Sequence, residues 1–237
     1  GVVSCLDTPG FLANRVGVFA IQCALHKAFE YKLSPTEVDA FFGRPLGLPK
    51  TGVFGLYDLI GIDLMADVVK SLVSILPEND AFHNYSSQIK FMTKMIANGQ
   101  TGNKNEKGFY KQIGDERQVI DLSNGSYGPH ERLKTPLLEE AEKIGISFII
   151  KNTSPYGLYV WDVISETLCY AASLVPEVTD DLTQIDDAMK LGYNWVQGPF
   201  ELLDEIGIEY FVDRLQADGR DVPEFLLKGI NNKFYIN

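Results

Sequence analysis

Apolar residues recur three and four positions apart over most of the chain, and strict alternation is scarce. In the first such stretch Leu12, Val16, Phe19 and Cys23 keep that spacing, with Ala20, Ala24 and Ala28 beside them. The Thr8-Pro9 pair ahead of them suits a cap and a first-turn proline, so a long helix to about Tyr31 is predicted. Ser34-Pro35-Thr36-Glu37 matches a capping box and predicts a short helix closed by Gly43. After the turn-rich loop from Arg44 to Gly52, helices are predicted over 53–60, over 62–76 ahead of Pro77, and near 86–97. Helical spacing returns at 136–144, 155–174, 182–190, 199–206, 208–217 and 223–229, with several starts marked by Thr-Pro or Ser-Pro. The predicted architecture is all-α.

The stretch 98–134 breaks the pattern with Asn98-Gly99, Gly102-Asn103, Gly108, Gly114 and Ser123-Asn124-Gly125-Ser126, and it reads as a domain boundary. Within it, 118–122 could form one short strand, which alone makes no sheet. An internal repeat gives the boundary meaning. Residues 52–62 match residues 198–208 at seven of eleven positions, sharing Gly52, Phe54, Leu56, Asp58, Ile60, Gly61 and Ile62 with their counterparts. Asp39-Ala40 is echoed by Asp187-Ala188, and Lys107-Gly108-Phe109-Tyr110 by Asn232-Lys233-Phe234-Tyr235, in the same order. Two related helical units are therefore expected, at 1–111 and 135–237, joined by a linker at 112–134.

Charge narrows the function classes. The 237 residues include 21 Lys plus Arg and 32 Asp plus Glu, a formal charge of −11, and no basic stripe exceeds two residues. Nucleic acid and anionic membrane are poor partners for such a chain, and an anionic small substrate would need a local positive spot. No apolar run approaches the roughly 18 residues of a membrane helix. Cys5, Cys23 and Cys169 are widely spaced and lie in no CxxC or Cys/His cluster, as suits a reducing cytoplasm. The opening at Gly1, without Met, reads as a piece of a longer chain.

Motifs that carry a reaction alone are absent: there is no GxGxxG after a strand, no phosphate loop, no GxSxG elbow and no HExxH. The chain is not expected to bind a dinucleotide alone. His26 and Glu30, four apart, could mimic an acid/base dyad, but a surface ion pair is the better expectation. His83 and His130 are assigned no role. Asn14 falls about one turn into the first helix, away from the Leu12 and Phe19 stripe, where an ordinary polar residue and a surface Arg15 would also be unremarkable.

Pro9-Gly10-Phe11-x-x-Asn14-Arg15, then Val38-Asp39-Ala40 with Gly43-Arg44-Pro45-Leu46-Gly47-Leu48-Pro49, then Lys107-Gly108-Phe109-Tyr110, resembles the C-terminal domain of 3-hydroxyacyl-CoA dehydrogenases. Tyr170-Ala171-Ala172, Ile185 to Met189, Gly192 to Trp195 and Gly198-Pro199-Phe200-Glu201 resemble the second copy of that domain in longer family members. The resemblance covers nearly the whole chain and is weakest over 112–134.

It implies two tandem 6-phosphogluconate-dehydrogenase-C-terminal-like helical units forming a pseudo-dimer. NAD would be bound by a preceding Rossmann domain that also carries a His–Glu pair, neither of which this chain contains, so the chain alone is expected to be inactive. The substrate implied is a 3-hydroxyacyl-CoA of fatty-acid β-oxidation, and longer members allow an enoyl-CoA hydratase domain to follow. By motif, Asn14 matches the asparagine that orients the substrate oxygen or the nicotinamide. Arg15, Arg44 and Lys50 are candidates for the CoA phosphates and Phe54 for the acyl site, although a purely structural connection is the better expectation for the loop and the repeated Phe200 favours a core role for Phe54. Trp195 is expected to pack a corner. A non-catalytic docking module with the same fold is the alternative.

Overall fold

The computed structural model describes residues 1–229 and 233–235. Twelve α-helices dominate the described residues. Helix α1 spans Leu12–Tyr31 instead of opening at Pro9, because Gly10 lies at φ +79°, a left-handed conformation that no helical turn accepts. Helix α2 (Pro35–Phe41) opens with the predicted box: Glu37 N–H donates to Ser34 Oγ at 3.3 Å and Ser34 N–H to Glu37 Oε2 at 2.8 Å. Helices α3 (Phe54–Ile60) and α4 (Ile62–Ile75) turn a corner at Gly61, and α4 buries the stripe Ile62, Met65, Val69 and Leu72. Then follow α5 (Lys90–Ala97), α6 (Pro136–Ile144), α7 (Ile146–Ile150), α8 (Pro155–Ser173), α9 (Leu182–Tyr193), α10 (Pro199–Ile206), α11 (Ile208–Ala217) and α12 (Glu224–Gly229).

Among the described residues the mostly helical architecture includes one sheet. Strands β1 (Tyr110–Ile113), β2 (Glu116–Ile120) and β3 (Tyr127–Pro129) form an antiparallel sheet in that order, with Tyr110 opposite Val119 and Ile120 opposite Tyr127. Only one strand was legible in the sequence because the sheet lies at the surface. Gln112, Ile113, Glu116 and Arg117 are all exposed, so no alternation of apolar and polar residues marks them.

Contacts divide the chain into a unit of residues 24–145 and a unit of residues 1–23 with 146–237. This differs from the expected 1–111, 112–134 and 135–237. The stretch 112–134 is not a free linker, since it supplies most of the sheet, and both it and α6 belong to the 24–145 unit. Helix α1 gives its first turns to one unit and the rest to the other. The 24–145 core centres on Val38, Phe41, Phe54, Tyr57, Phe82 and Phe109; the other centres on Val16, Phe19, Tyr159, Trp161, Phe200 and Phe211.

The repeat is visible as a polar clasp inside each unit. In the 24–145 unit Asp39 accepts the N–H groups of Phe54 and Gly55 at 2.8 and 2.9 Å, and so caps α3, which has no side-chain cap of its own. The Tyr110 hydroxyl donates to Asp39 at 2.8 Å, and Asp58 accepts the N–H groups of Phe109 and Tyr110 at 2.8 and 2.7 Å. In the other unit Asp186 accepts from Phe200 and Glu201 N–H and from the Tyr235 hydroxyl, while Asp204 accepts from Phe234 and Tyr235 N–H. Phe54 meets Phe109 edge-on at 4.6 Å, as Phe200 meets Phe234 at 5.2 Å. The counterpart of Asp39 is thus Asp186, not Asp187 as the sequence echo had it: the loop from aspartate to helix is one residue shorter in the second copy. Asn232, part of the same echo, lies outside the described residues.

Candidate functional site

Two places hold the residues singled out above. The first is the start of α1. Asn14 is half-buried, and its Oδ1 accepts a hydrogen bond from the Tyr193 hydroxyl at 3.1 Å. Its Nδ2 donates to nothing among the described residues. An amide whose carbonyl end is held and whose N–H end is left over can donate to an acceptor oxygen without carrying charge. Phe11, beside it, is 81% exposed.

Arg15 is not the surface cation, or the phosphate ligand, that its place in the motif allowed. It is 1% exposed. Its Nη1 pairs with Glu177 Oε1 at 2.7 Å, its Nε donates to the Tyr170 hydroxyl at 3.3 Å, and Tyr170 stacks on Phe19 at 4.1 Å. The helix turn that points Asn14 outward points the next residue inward, where burial of a guanidinium requires this pairing.

The second place is an open groove of about 980 Å³ within the 24–145 unit. Arg44 and Lys50, both exposed, line it together with Lys111, Arg117, His130 and Arg132. Arg117 lies 4.1 Å over the Tyr110 ring, Lys111 lies 4.2 Å over Tyr127, and Arg132 reaches Glu142 at 3.8 Å. The acidic side of the groove is Asp39, Asp58, Glu106 and Glu142. Burial pushes the Asp39 carboxyl up to about 7 against the pull of its three hydrogen-bond donors, and burial pushes Asp58 up to about 6. Two groove hydroxyls, Thr36 Oγ1 and Thr51 Oγ1, are buried and have no hydrogen-bond partner. The sequence offered Arg44 and Lys50 but not Lys111, Arg117 or Arg132, which come from the sheet and the segment after it.

Phe54 does not line a surface site: it is 0% exposed and packs on Phe109. His26 and Glu30 form no dyad and no surface pair. Glu30 pairs with Lys27 at 3.1 Å, while His26 faces Tyr85 edge-on, burial lowers its pKa, and its Nε2 lacks a hydrogen-bond partner. Trp195 packs as expected, 8% exposed after the α9 cap. A dinucleotide does not fit these residues: the sheet is antiparallel, and among the described residues there is no parallel strand pair with a glycine turn into a helix. No described helix is long and apolar enough to cross a membrane.

Residues 10–112 match the family profile of the 3-hydroxyacyl-CoA dehydrogenase C-terminal domain. The chain is 42% identical over 211 residues to a Rickettsia prowazekii (strain Madrid E) protein named fatty acid oxidation complex trifunctional enzyme, covering 85% of this chain and 28% of that one. It is 34% identical over 247 residues to a Bacillus subtilis (strain 168) protein named 3-hydroxyacyl-CoA dehydrogenase, covering 100% of this chain and 31% of that one. The chain therefore spans under a third of the length of these relatives. Its fold matches the crystal structure of 3-hydroxybutyryl-CoA dehydrogenase from Escherichia coli K12 substr. MG1655 with TM-score 0.63 and 18% identity, over 97% of this chain and 61% of that one.

Proposed function

We propose, for a chain that belongs to the 3-hydroxyacyl-CoA dehydrogenase family through the C-terminal-type domain at residues 10–112, that it supplies the helical substrate-cleft region of an NAD-dependent enzyme oxidising 3-hydroxyacyl-CoA to 3-ketoacyl-CoA in fatty-acid β-oxidation. The NAD is held by a Rossmann-type region outside residues 1–237, and these residues alone are inactive. NAD bound there would supply the hydride acceptor for oxidation at C3. The three free thiols fit a cytoplasmic setting.

One observation carries the reading. Within the family-matched segment, Asn14 keeps its amide N–H available while its oxygen is held by Tyr193. Donated to the C3 oxygen or the neighbouring thioester, that N–H fixes the reacting carbon in place and adds no competing acid or base. The groove with Arg44 and Lys50 offers the local positive charge an acyl-CoA needs on a chain of net charge −11. Arg15 and Phe54 are buried, and neither takes part in substrate binding in this reading.

The test is NADH-dependent reduction of acetoacetyl-CoA by the chain joined to its NAD-binding region, against Asn14→Ala and against residues 1–237 alone. The reading requires an active parent, an inactive isolated chain, and a loss of about tenfold or more in turnover for Asn14→Ala. A parent inert on every 3-ketoacyl-CoA tried would leave a helical docking module.

A further inference from the structure

The geometry points to Tyr193 as a positioning residue for Asn14: its hydroxyl orients the Asn14 amide so that the N–H end faces the reacting oxygen. The inference rests on the function proposed for Asn14 and adds a residue outside the Pro9-Gly10-Phe11-x-x-Asn14-Arg15 stretch.

Several observations converge on Tyr193. It is the last residue of α9, and Asn194, in a left-handed conformation at φ +54°, ends the helix immediately after it. Its hydroxyl lies 3.1 Å from Asn14 Oδ1. Its ring packs against α1 at Gly17, where an added Cβ would come within 2.2 Å of Cζ and 2.4 Å of Cε2. Gly17 is three residues after Asn14, on the same face of α1. Glycine inside a helix costs about 0.5–1 kcal/mol relative to alanine, and here its missing side chain is the space the tyrosine occupies. One residue earlier, a Cβ on Gly192 would sit 3.0 Å from Ala13 Cβ, so the end of α9 and the start of α1 fit closely on both sides of the pair.

The repeat supplies an independent comparison. Counting from Asp39 and Asp186, Tyr193 corresponds to Leu46, and the left-handed Asn194 to the left-handed Gly47. Leu46 is 3% exposed and carries no hydroxyl. Core packing at this position therefore does not require a tyrosine; the hydroxyl belongs to the copy that meets Asn14.

An asparagine amide can turn end for end. A substrate oxygen in front of it favours the orientation with Nδ2 outward, and the Tyr193 hydroxyl then donates to Oδ1 from behind. The resulting chain, hydroxyl to carbonyl and amide N–H to substrate oxygen, is aligned in one direction, and each bond strengthens the next. Burial pushes the phenol up to about 12, so it remains a donor throughout the working range.

Tyr193→Phe keeps the ring on Gly17 and removes only the hydroxyl. In the chain joined to its NAD-binding region, acetoacetyl-CoA reduction should lose about three- to tenfold in kcat, with KM changed by less than about twofold. In an Asn14→Ala background the same substitution should have no further effect, because no amide remains to orient. Unchanged kcat in Tyr193→Phe would overturn the proposal. So would a loss that persists undiminished beside Asn14→Ala, which would make the hydroxyl a packing element. If the parent is active but Asn14→Ala is as fast as wild type, the role of Asn14 fails first and that of Tyr193 falls with it.

Discussion

The two aspartate clasps share their wiring and differ in their packing. Asp58 is 2% exposed, whereas Asp204 is half-buried. The first clasp closes over glycine: a Cβ on Gly108 would lie 2.0 Å from Asp58 Oδ1, and one on Gly102 2.5 Å from the Asp58 carbonyl. The second has Lys233 where the first has Gly108, and its looser fit admits a side chain there. Features present in both copies, namely the capped helix, the edge-on phenylalanines and the tyrosine returning to the aspartate, hold the fold. Features confined to one copy mark what that copy does. Among the described residues the sheet and the cationic groove follow the first clasp, and the Tyr193 hydroxyl belongs to the second copy.

The comparison breaks most directly at the carboxylates. Asp58→Ala strands two buried N–H groups and should cost about 2–4 kcal/mol. Asp204→Ala, with water at hand, should cost about 1 kcal/mol. Denaturant unfolding of both variants checks the difference, and equal losses would mean that the tighter packing of the first copy adds nothing. Gly108→Ala should approach the cost of Asp58→Ala, because the methyl group displaces the carboxylate from its two donors; Lys233→Ala should stay within about 0.5 kcal/mol of wild type.

Titration gives a smaller, signed effect. Burial pushes Asp39 up to about 7 and both Asp58 and Asp186 up to about 6. Between about 4 and 7 the folded chain then holds protons that the unfolded chain has released, so stability falls as pH rises through that window. The unfolding midpoint should be higher at pH 5 than at pH 8. Asp39→Asn should remove its share of the slope across the whole window and leave little fall between about 6 and 7; below about 6 Asp58 and Asp186 still contribute, opposed by His26 and His130, whose pKa values burial lowers. The lowered carboxyls Asp63, Asp121 and Asp181 act below the ordinary carboxylate range and do not enter this window. A profile that instead rises toward pH 8 would show that the donors around Asp39 outweigh its burial.

What could be read in advance follows from which forces leave a local trace. Helices that bury a stripe, such as α4 with Ile62, Met65, Val69 and Leu72, announce themselves by spacing, and Ser34 with Glu37 announces its own cap. The cap on α3 could not be read, because its acceptor, Asp39, comes from 15 residues earlier. The sheet was mostly hidden since its strands bury one residue each at most. For the site, the motif located Asn14, but nothing local distinguishes an asparagine with a free N–H from one spent on the backbone. Arg15 and Phe54 show the converse: motif neighbourhood gave them a ligand role, and the direction of their side chains gave them to the core. Tyr193 lies 179 residues from Asn14, a distance across which sequence spacing carries no information.

The smallest effect separates the groove from the clasp beneath it. Arg44 and Lys50 are exposed and enter no ion pair among the described residues, so removing them should leave stability within about 0.5 kcal/mol. If the groove receives CoA phosphates, Arg44→Ala and Lys50→Ala in the chain joined to its NAD-binding region should each raise KM for acetoacetyl-CoA by about two- to fivefold, with kcat held. The effect should fade as salt is raised, because an exposed cation's attraction for a phosphate is screened within about 8 Å at physiological ionic strength. Asp39→Asn provides the opposing arm: losing a carboxylate from the groove wall should lower KM slightly at pH 8, where that carboxyl is ionised, and not at pH 6. A KM indifferent to all three changes would assign the groove's cations to the surface and leave Asn14, held by Tyr193, as the proposed substrate contact.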